Sequence, residues 1–426
     1  MSEHRDVLVI ATVGTGRNRT DIAEALAFSI RRHQARRAVF LCSRKTAEET
    51  LPLVLERLEG DAVQCRHDVC DDEEDVQRLF IEWNRKWPEW LGDGPPARVL
   101  VDFTSGTKAM SAAAVLLAVA RGADQLSYVV GRRDEGGRVV QSEEARVLSP
   151  DLIFAHRQLR LAVEHFHAGG YAAARDIAAG YLAIADAALC KVARSIHVIG
   201  AAYEAWDRFD YRAAAARLRE SKRFWPQWSW VIDSARLQAN EELILAAKEC
   251  TEGTRKLDLP LCADLLASAE RCARRSDWDD AVARLYRACE MIAQIRLFRK
   301  YQIRTGDADP TLLPENIRGP YAERKSRLGD HKLKLGLDEA YELLFLLDDP
   351  VGRKYAELGG GWQRKGDLLS ALQSRNGSLL AHGVVPIGEE KAKKLHELVT
   401  ALARTLDSVA LDQWLAKAEP VRFGAF

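Results

Sequence analysis

The stretch that decides the fold of the N-terminal region is residues 99–110, Val-Leu-Val-Asp-Phe-Thr-Ser-Gly-Thr-Lys-Ala-Met. Its apolar start predicts a buried strand over residues 98–103, and its end opens a helical pattern. The same alternation of strand-like runs and helical patterns fills the chain before residue 150. The other three strand-like runs are residues 7–13, 38–42 and 125–130. This order of elements predicts a parallel sheet covered by helices.

The sequence beyond Pro150 is of a different kind. Alanine, leucine and arginine dominate, strand signals vanish, and amphipathic helical periodicity continues nearly to the C-terminus. The predicted fold class is therefore α/β plus all-α. A polar turn followed by an aromatic residue and alanines predicts helix-hairpin turns, or alternatively a tetratricopeptide-type repeat, at residues 169–172, 209–213 and 276–281. Charges, glycines and prolines predict a long loop over residues 304–336.

Length and composition restrict the possible classes. A chain of 426 residues fits two or three domains. Lys plus Arg and Asp plus Glu number 62 each, so any contact with nucleic acid must come from local clusters of cations. The eight cysteines form no Cys-x-x-Cys pair, which predicts a reducing cytoplasm and no structural metal. No segment approaches the roughly 20 apolar residues that span a bilayer, so we expect no membrane association.

The first strand-like run leads into a small-residue loop, Thr12-Val13-Gly14-Thr15-Gly16. Small residues let backbone amides approach an anion, and the following helix N-terminus adds partial positive charge. The loop is not a Walker A motif, because no Gly-Lys-Ser/Thr follows, and Arg19 stands where a full G-x-G-x-x-G has its third glycine. An ordinary tight turn is the alternative interpretation.

The run over residues 98–103 leads into a second polar loop, Thr104-Ser105-Gly106-Thr107-Lys108. Its hydroxyls and its lysine offer donors and a positive charge for phosphate or ribose oxygens. The alternative is that Thr104 or Ser105 only caps the following helix. Ligands of parallel sheets lie beyond the carboxyl ends of strands, so both loops are candidate sites.

Residues 102–108, Asp-Phe-Thr-Ser-Gly-Thr-Lys, resemble the signature loop of CARF domains, the CRISPR-associated Rossmann-fold modules, and residues 12–15 are similar to the first-strand loop of that family. The resemblance implies binding of a cyclic oligoadenylate across a symmetric dimer, and some relatives also cleave their ring ligand slowly. The ligand-binding residues that it implies are Thr12, Gly14, Thr15, Thr104, Ser105, Gly106, Thr107 and Lys108.

A second chemical signal lies near the C-terminus. Arg375 and His382 are seven positions apart, so on a helix they lie two turns apart on nearly the same face. A group that exchanges protons near neutral pH and a fixed positive charge are sufficient for metal-free RNA cleavage by the 2′-hydroxyl. The alternatives are a chance spacing and a helix C-terminal histidine before Gly383.

Arg375, Asn376 and His382 resemble the R-x(4–6)-H motif of HEPN ribonucleases, and residues 278–291 resemble the earlier HEPN helix of CARF-HEPN effectors from type III CRISPR systems. The resemblance implies an endoribonuclease that needs no cofactor or metal and whose active site is composed of residues from both subunits of a homodimer. It also implies activation by a cyclic oligoadenylate, with cyclic tetraadenylate favoured over hexaadenylate. His382 would transfer protons, Arg375 would stabilise phosphorane charge and Asn376 would orient groups. The implied products from single-stranded RNA carry 2′,3′-cyclic phosphates.

The resemblance also implies three domains: a CARF domain over residues 1–150, a helical connecting domain over residues 151–260 and a HEPN domain over residues 261–426.

Two alternatives remain open from the sequence. The chain could be a non-enzymatic, ligand-responsive regulator or adaptor in which Arg375 and His382 are structural, or its CARF domain could also degrade the ring. The aromatic group at residues 224–230, with nearby cations, could stack RNA bases or serve interdomain packing. His165 and His167 are not expected to hold a metal, because alternate residues of a helix point to different faces.

Overall fold

In the computed structural model, strand β1 (Val7–Thr12) is buried along its whole length and lies inside a sheet of six strands. The order across the sheet is β3-β2-β1-β4-β5-β6, and β1 pairs in parallel with both β2 and β4. In this register Ile10 lies opposite Val39 on one side and Val101 on the other. The remaining strands are β2 (Arg37–Cys42), β3 (Gln64–Val69), β4 (Arg98–Asp102), β5 (Gln125–Arg133) and β6 (Val139–Leu148).

The structure describes residues 6–16, 19–94, 96–133, 139–253, 256–329, 331–359 and 386–426. The chain divides into two compact units, Met1–Gln158 and Leu159–Phe426. The predicted fold class, α/β followed by all-α, is confirmed. The predicted boundaries at residues 150 and 260 stay predictions.

Helices cover both faces of the sheet because successive β1 side chains point to opposite sides. Ile10 packs in a cluster with Trp83 and Leu117, whereas Val9 packs in a second cluster with Leu26. The helices of this unit are α1 (Arg19–Arg32), α2 (Arg44–Glu49), α3 (Leu51–Arg57), α4 (Val76–Leu91) and α5 (Lys108–Arg121).

The sheet is mostly parallel, as predicted, but it has one antiparallel edge. The four predicted strands are present, but β3 and β6 were not predicted, and β6 pairs antiparallel with β5. Both strands lie at sheet edges, where one side of the strand has no partner. The β3 sequence, Gln-Cys-Arg-His-Asp-Val, has no buried residue and therefore lacks the apolar pattern by which strands are recognised.

The second part of the chain is helical, and the division between the two units falls within α6. Short 3₁₀ turns occupy Lys222–Phe224 and Pro310–Leu312, and a π turn occupies Glu249–Gly253. The helices are α6 (Asp151–His167), α7 (Tyr171–Ala179), α8 (Ala187–Asp207), α9 (Tyr211–Ser221), α10 (Trp225–Trp228), α11 (Ser234–Lys248), α12 (Leu259–Arg274), α13 (Trp278–Tyr301), α14 (Glu315–Leu328), α15 (Leu337–Leu346), α16 (Pro350–Leu358), α17 (Glu389–Arg404) and α18 (Ser408–Ala418).

The three predicted helix-hairpin turns are confirmed, and they share one backbone geometry. Gly169, Phe209 and Ser276 all have positive φ, at 82°, 60° and 63°. In each turn the next residue donates its N–H to the carbonyl five positions earlier. This pattern is the Schellman motif, which ends a helix and reverses the chain. The sequence pattern that the three turns share therefore indicates a Schellman motif between two consecutive helices.

The predicted long loop over residues 304–336 was wrong in its middle part, because α14 (Glu315–Leu328) lies there. Gly319 and Pro320 indicated a break, yet the helix continues through both. No residue of α14 is fully buried, and only the half-buried Ile317, Tyr321 and Leu328 pack against the core, so its apolar signal in the sequence is weak. An ion pair one turn apart, between Arg327 and Glu323, lies on its surface.

One hydrophobic cluster runs through the whole helical unit. It contains Leu159 near the start of the unit, Ile292 in α13 and Phe423 close to the C-terminus. The Phe423 ring packs edge-on against Phe166 of α6, with centroids 5.0 Å apart. Residues from both predicted helical domains therefore share this core.

Candidate functional site

The two candidate loops follow β1 and β4, which are neighbouring parallel strands. The chain reverses its order across the sheet at this point, since β2 and β3 lie on one side of β1 and β4 to β6 lie on the other. Such a switch point opens a crevice beyond the carboxyl ends of the strands. The structure thus brings together the loops at residues 12–16 and 104–108.

Hydrogen bonds join the two loops reciprocally. The Thr12 hydroxyl donates to the Ser105 carbonyl, and the Ser105 hydroxyl donates to the Thr12 carbonyl at 2.7 Å. The Gly14 N–H also donates to Ser105 Oγ, at 3.1 Å. All three residues are buried. We call this set the loop clamp; it uses the Thr12 and Ser105 side chains to hold the loops.

The loop clamp requires glycine at both of its closest backbone positions. A Cβ on Gly14 would lie 2.5 Å from the Gly106 backbone nitrogen, closer than real atoms approach. Gly106 has φ of +100°, and its Cβ would meet Thr12 and Met110 side chains at 3.2 Å. The two backbones therefore touch only because neither residue carries a side chain.

The remaining hydroxyls of the second loop also have structural partners. Thr104 Oγ1 accepts from the Val129 N–H at 2.8 Å. Thr107 is the N-cap of α5, since its hydroxyl accepts from the Met110 N–H at 3.1 Å, and it donates to the Glu73 carbonyl at 2.6 Å. The alternative interpretation, in which Thr104 or Ser105 only caps the helix, is wrong, because Thr107 is the N-cap.

Thr15 and Lys108 are the remaining two predicted ligand-binding residues. Thr15 is half-buried and Lys108 is exposed. Lys108 is the first residue of α5, where the helix N-terminus adds partial positive charge to that of the ammonium group. The crevice can therefore receive an anion.

Sequence reasoning missed a buried polar layer next to the second loop. Asp102, at the end of β4, accepts from the Thr104 N–H at 2.8 Å and from the Ser29 hydroxyl of α1. Burial raises the pKa of Asp102, although the bonds from Ser29 and Thr104 oppose the shift. Nearby, His33 Nε2 lies 2.8 Å from Ser127 Oγ, and burial lowers the pKa of His33. The available signal was Ser29, a polar residue on the buried face of α1.

The second predicted site lies outside the described residues. Arg375, Asn376 and His382 fall within residues 360–385, so their geometry is not part of what the structure describes. On the near side of this segment, Tyr355 of α16 is buried and stacks on Tyr341 with centroids 3.8 Å apart. On the far side, the Ile387 N–H lies 3.4 Å from an oxygen of Asp279 in α13.

The aromatic group at residues 224–230 is divided between core and surface. Trp225 and Trp228 are buried in the core of the helical unit, and the Trp225 indole donates to Ser221 Oγ at 2.9 Å. Trp230 is 48% exposed. The two buried indoles favour the packing interpretation, and this packing lies within one unit.

Neither a group of metal ligands nor a membrane-spanning helix is found among the described residues. Among them, no group of three or more His, Cys, Asp and Glu side chains could hold a metal ion. His167 of the candidate pair His165 and His167 accepts a hydrogen bond from the Phe423 N–H at 2.9 Å. In the same part of the chain no helix is both long and apolar enough to cross a membrane. All eight cysteines are free thiols.

Comparison with known proteins shows what the chain is similar to in sequence and in fold. Residues 251–406 match the family model of the Csm6 HEPN domain, and this stretch contains α12 to α17. A search of curated protein sequences gives no match. Among solved structures, the chain is similar to Enterococcus italicus Csm6 bound to cyclic hexa-2′-fluoro-hexa-dAMP, with 14% sequence identity and a TM-score of 0.58 over 97% of this chain and 99% of that chain. The chain is thus similar to the Csm6 HEPN domain in the sequence of residues 251–406, and it shares its overall fold with a solved Csm6.

Proposed function

We propose that this protein is an endoribonuclease of CRISPR defence that a cyclic oligoadenylate switches on. The observation that carries the proposal is the match of residues 251–406 to the Csm6 HEPN domain, because this stretch includes Arg375, Asn376 and His382. The protein acts in the cytoplasm, where both the messenger and RNA transcripts would reach it.

The activator binds at the switch point of the sheet. The loop clamp holds the two backbones together, while Thr15 and Lys108 meet the ring phosphates and riboses. A ring of four adenylates is the first candidate, and a ring of six is its rival, since the Enterococcus italicus Csm6 was solved with a cyclic hexa-dAMP analogue. The CARF site could also cleave its own ligand, and incubation of the ring with the protein would reveal linear products.

The active form is a homodimer. A ring with repeated phosphates can meet the same loops from two subunits related by a twofold axis. Ring binding then biases the helical units toward the arrangement in which two HEPN sites form one composite centre. A monomer is therefore inactive.

The chemistry uses the RNA itself as the nucleophile. The 2′-oxygen attacks the adjacent phosphorus while the bond to the 5′-oxygen breaks, which leaves a 2′,3′-cyclic phosphate and a 5′-hydroxyl. His382 handles the proton that the 2′-hydroxyl loses and the proton that the 5′-oxygen gains. Arg375 stabilises the phosphorane charge and Asn376 orients the reacting groups. No step requires a metal.

The test measures cleavage of a fluorogenic single-stranded RNA in EDTA, with cyclic tri-, tetra- or hexaadenylate or without any ring. Cleavage should need a ring, persist in EDTA and yield cyclic phosphate ends. His382→Ala should lower the rate by at least about 10²-fold, the usual contribution of an acid–base group. His331→Ala is the matched control, since His331 is an exposed histidine of the same unit.

Each outcome of this test has a meaning. Full activity in His382→Ala would refute the assignment of the catalytic residue. Ring binding without RNA cleavage by the unmodified protein would refute the ribonuclease and leave a ligand-responsive regulator or adaptor.

A further inference from the structure

A cavity of about 400 Å³ lies in the helical unit and has no role so far. Helix α13 supplies one wall through Arg287, Gln294 and Phe298, which follow one another at helical spacings on one face. Lys256 before α12 and Arg304 after α13 complete it. Its volume lies within the range of about 300–1,000 Å³ that is typical of sites for small ligands.

The cavity is cationic. Arg287, Lys256 and Arg304 all line it, and none of the described residues that line it carries a carboxylate. Glu290 lies 3.2 Å from Arg287 and neutralises part of its charge, and the same guanidinium donates to Gln294 Oε1 at 3.0 Å. The charged side chains that line the cavity are therefore all cationic, so it favours an anionic ligand.

The aromatic ring of Phe298 organises two of these cations. The Lys256 ammonium lies 5.8 Å from the ring centroid and the Arg304 guanidinium lies 5.4 Å from it. Cation–π attraction holds both groups at the ring. Both side chains belong to exposed residues, so a ligand from solution can reach them.

Apolar surface lies next to these charges. Ile303 is buried and Leu257 is half-buried, and both line the cavity beside Phe298. A ligand that suits such a site has a phosphate for the cations and a flat, apolar body for the hydrophobic wall. Nucleotides combine both features, and proteins hold single-stranded nucleic acid by this combination of cations and aromatic surface.

We propose that this cavity binds one nucleotide of the single-stranded RNA substrate, with the phosphate at Lys256 and Arg304 and the base against Phe298, Leu257 and Ile303. The inference rests on the proposed ribonuclease function and adds a positioning site outside Arg375, Asn376 and His382. Substrate would thus be held by a region separate in sequence from the catalytic motif.

The test compares the double variant Lys256→Ala/Arg304→Ala with the unmodified full-length protein. A short, fluorescent 2′-O-methyl oligonucleotide serves as the probe, because it lacks the nucleophile and is not cleaved. Binding of the probe should weaken at least about tenfold, since hydrogen bonds to charged groups contribute more than neutral ones. The slope of log affinity against log salt should decrease by about 0.7, because the cavity contacts one phosphate and each phosphate contact on a single strand contributes about 0.7.

Two further measurements separate positioning from catalysis and from folding. With cleavable RNA, the double variant should show a higher KM and an unchanged kcat, and the cyclic tetraadenylate concentration for half-activation should stay the same. The control Arg212→Ala/Arg327→Ala removes two cations whose side chains are 75% and 77% exposed and which do not line the cavity. It should bind the probe as the unmodified protein does.

The outcomes distinguish this inference from the proposed function. If the unmodified protein cleaves RNA but the cavity variant retains its probe affinity and KM, the cavity proposal is wrong and the ribonuclease stands. If only the activating ring concentration changes, the cavity binds the messenger and not the substrate, which also overturns the proposal. If the unmodified protein neither binds the probe nor cleaves RNA, both proposals fail.

Discussion

Two aspartates, one in each unit, are completely buried but have different partners. Asp102 ends β4 beside the loop clamp, and its hydrogen-bond donors are the Ser29 hydroxyl and the Thr104 N–H. Asp264 lies in α12, and its nearest cation is Arg271, 3.5 Å away. One carboxyl group is therefore held by neutral donors and the other faces a buried charge.

The network around Asp264 joins three helices. Its two oxygens accept from the Trp206 indole of α8 at 3.0 Å and from the Tyr211 hydroxyl of α9 at 2.7 Å. Burial alone would lower the pKa of Arg271, yet Asp264 and neighbouring groups raise it overall. Asp207 adds a second contact to Arg271, at 3.4 Å. Arg271 also lies over the Trp206 ring, 5.0 Å from its centroid.

The comparison shows that burial by itself does not determine what a carboxylate contributes. A buried charge that loses its counter-ion costs several kcal/mol, whereas a buried polar group with neutral partners can be replaced by another polar group of the same shape at little cost. The same substitution, Asp to Asn, should therefore have very different effects at the two positions.

The largest effect is expected for Asp264→Asn. The amide cannot neutralise Arg271, which then keeps only its ion pair with Asp207, so the helical unit should lose about 3 kcal/mol of stability. Hydrogen exchange of the α12 amides measures this loss without assuming that both units unfold together. A change below about 0.5 kcal/mol would show that Asp207 alone compensates the charge.

The next effect is expected for Gly14→Ala in the loop clamp. The new methyl group would lie 2.5 Å from the Gly106 nitrogen, so one backbone must move. We expect a loss of about 2 kcal/mol in the sheet unit, because forcing an atom into a packed site costs about 1–3 kcal/mol. Exchange of the β1 and β4 amides gives the stability, and titration with cyclic tetraadenylate should show weaker binding.

Gly94→Ala is the matched control for this change. A Cβ at Gly94 meets nothing within 4 Å, so stability and ring binding should stay as they are. Equal losses in the two glycine variants would mean that backbone freedom, and not the contact between the loops, explains the effect.

A smaller effect is expected for Thr12→Val, which keeps the shape of the side chain. The Ser105 carbonyl loses the Thr12 hydroxyl but keeps the Ser111 hydroxyl at 3.3 Å, so the cost should be about 1 kcal/mol. Thr15→Val is the contrasting variant, since Thr15 is half-buried at the site surface. It should weaken ring binding and leave stability within about 0.5 kcal/mol. If Thr12→Val weakened ring binding without loss of stability and Thr15→Val lowered stability, then Thr15 would hold the loops together and Thr12 would contact the ring.

The contrast between Thr12 and Thr15 also shows what the sequence could and could not predict about the site. The spacing of strands, glycines and hydroxyls placed both loops at one crevice, because strand order follows from alternating elements. This spacing could not distinguish the residues that hold the two loops together from those that are proposed to contact the ligand. Thr12 and Ser105 bond each other across 93 positions of the chain, and no local pattern encodes such a contact.

The fold was predictable where packing imposes a period. β1 and β4 are buried and apolar, and the three Schellman turns repeat one pattern, so each was recognised. β3 and α14 were missed because neither buries a residue that would set a period. The pairing of Asp264 with Arg271 could not be predicted either, because charged residues are mostly exposed, whereas Arg271 is only 6% exposed.

The smallest effect on stability is expected for Asp102→Asn, and its signature is the pH dependence. Burial raises the pKa of Asp102 in the folded protein, so the folded state keeps a proton that the unfolded chain has already released. Stability of the sheet unit should then fall as pH rises from the ordinary carboxyl pKa to the raised one. The amide cannot titrate, so the variant should lack this decline.

At acidic pH the Asn variant should match the unmodified protein, because both carry an uncharged group beside Ser29 and Thr104. Near neutral pH it should be equally stable or more stable, since no charge has to be buried. The measurement is exchange of the β4 amides across pH, with Asp264→Asn as the comparison. If Asp102→Asn destabilises the sheet unit as much as Asp264→Asn destabilises the helical unit, then the Ser29 and Thr104 donors stabilise a charged Asp102, and the distinction between the two aspartates fails.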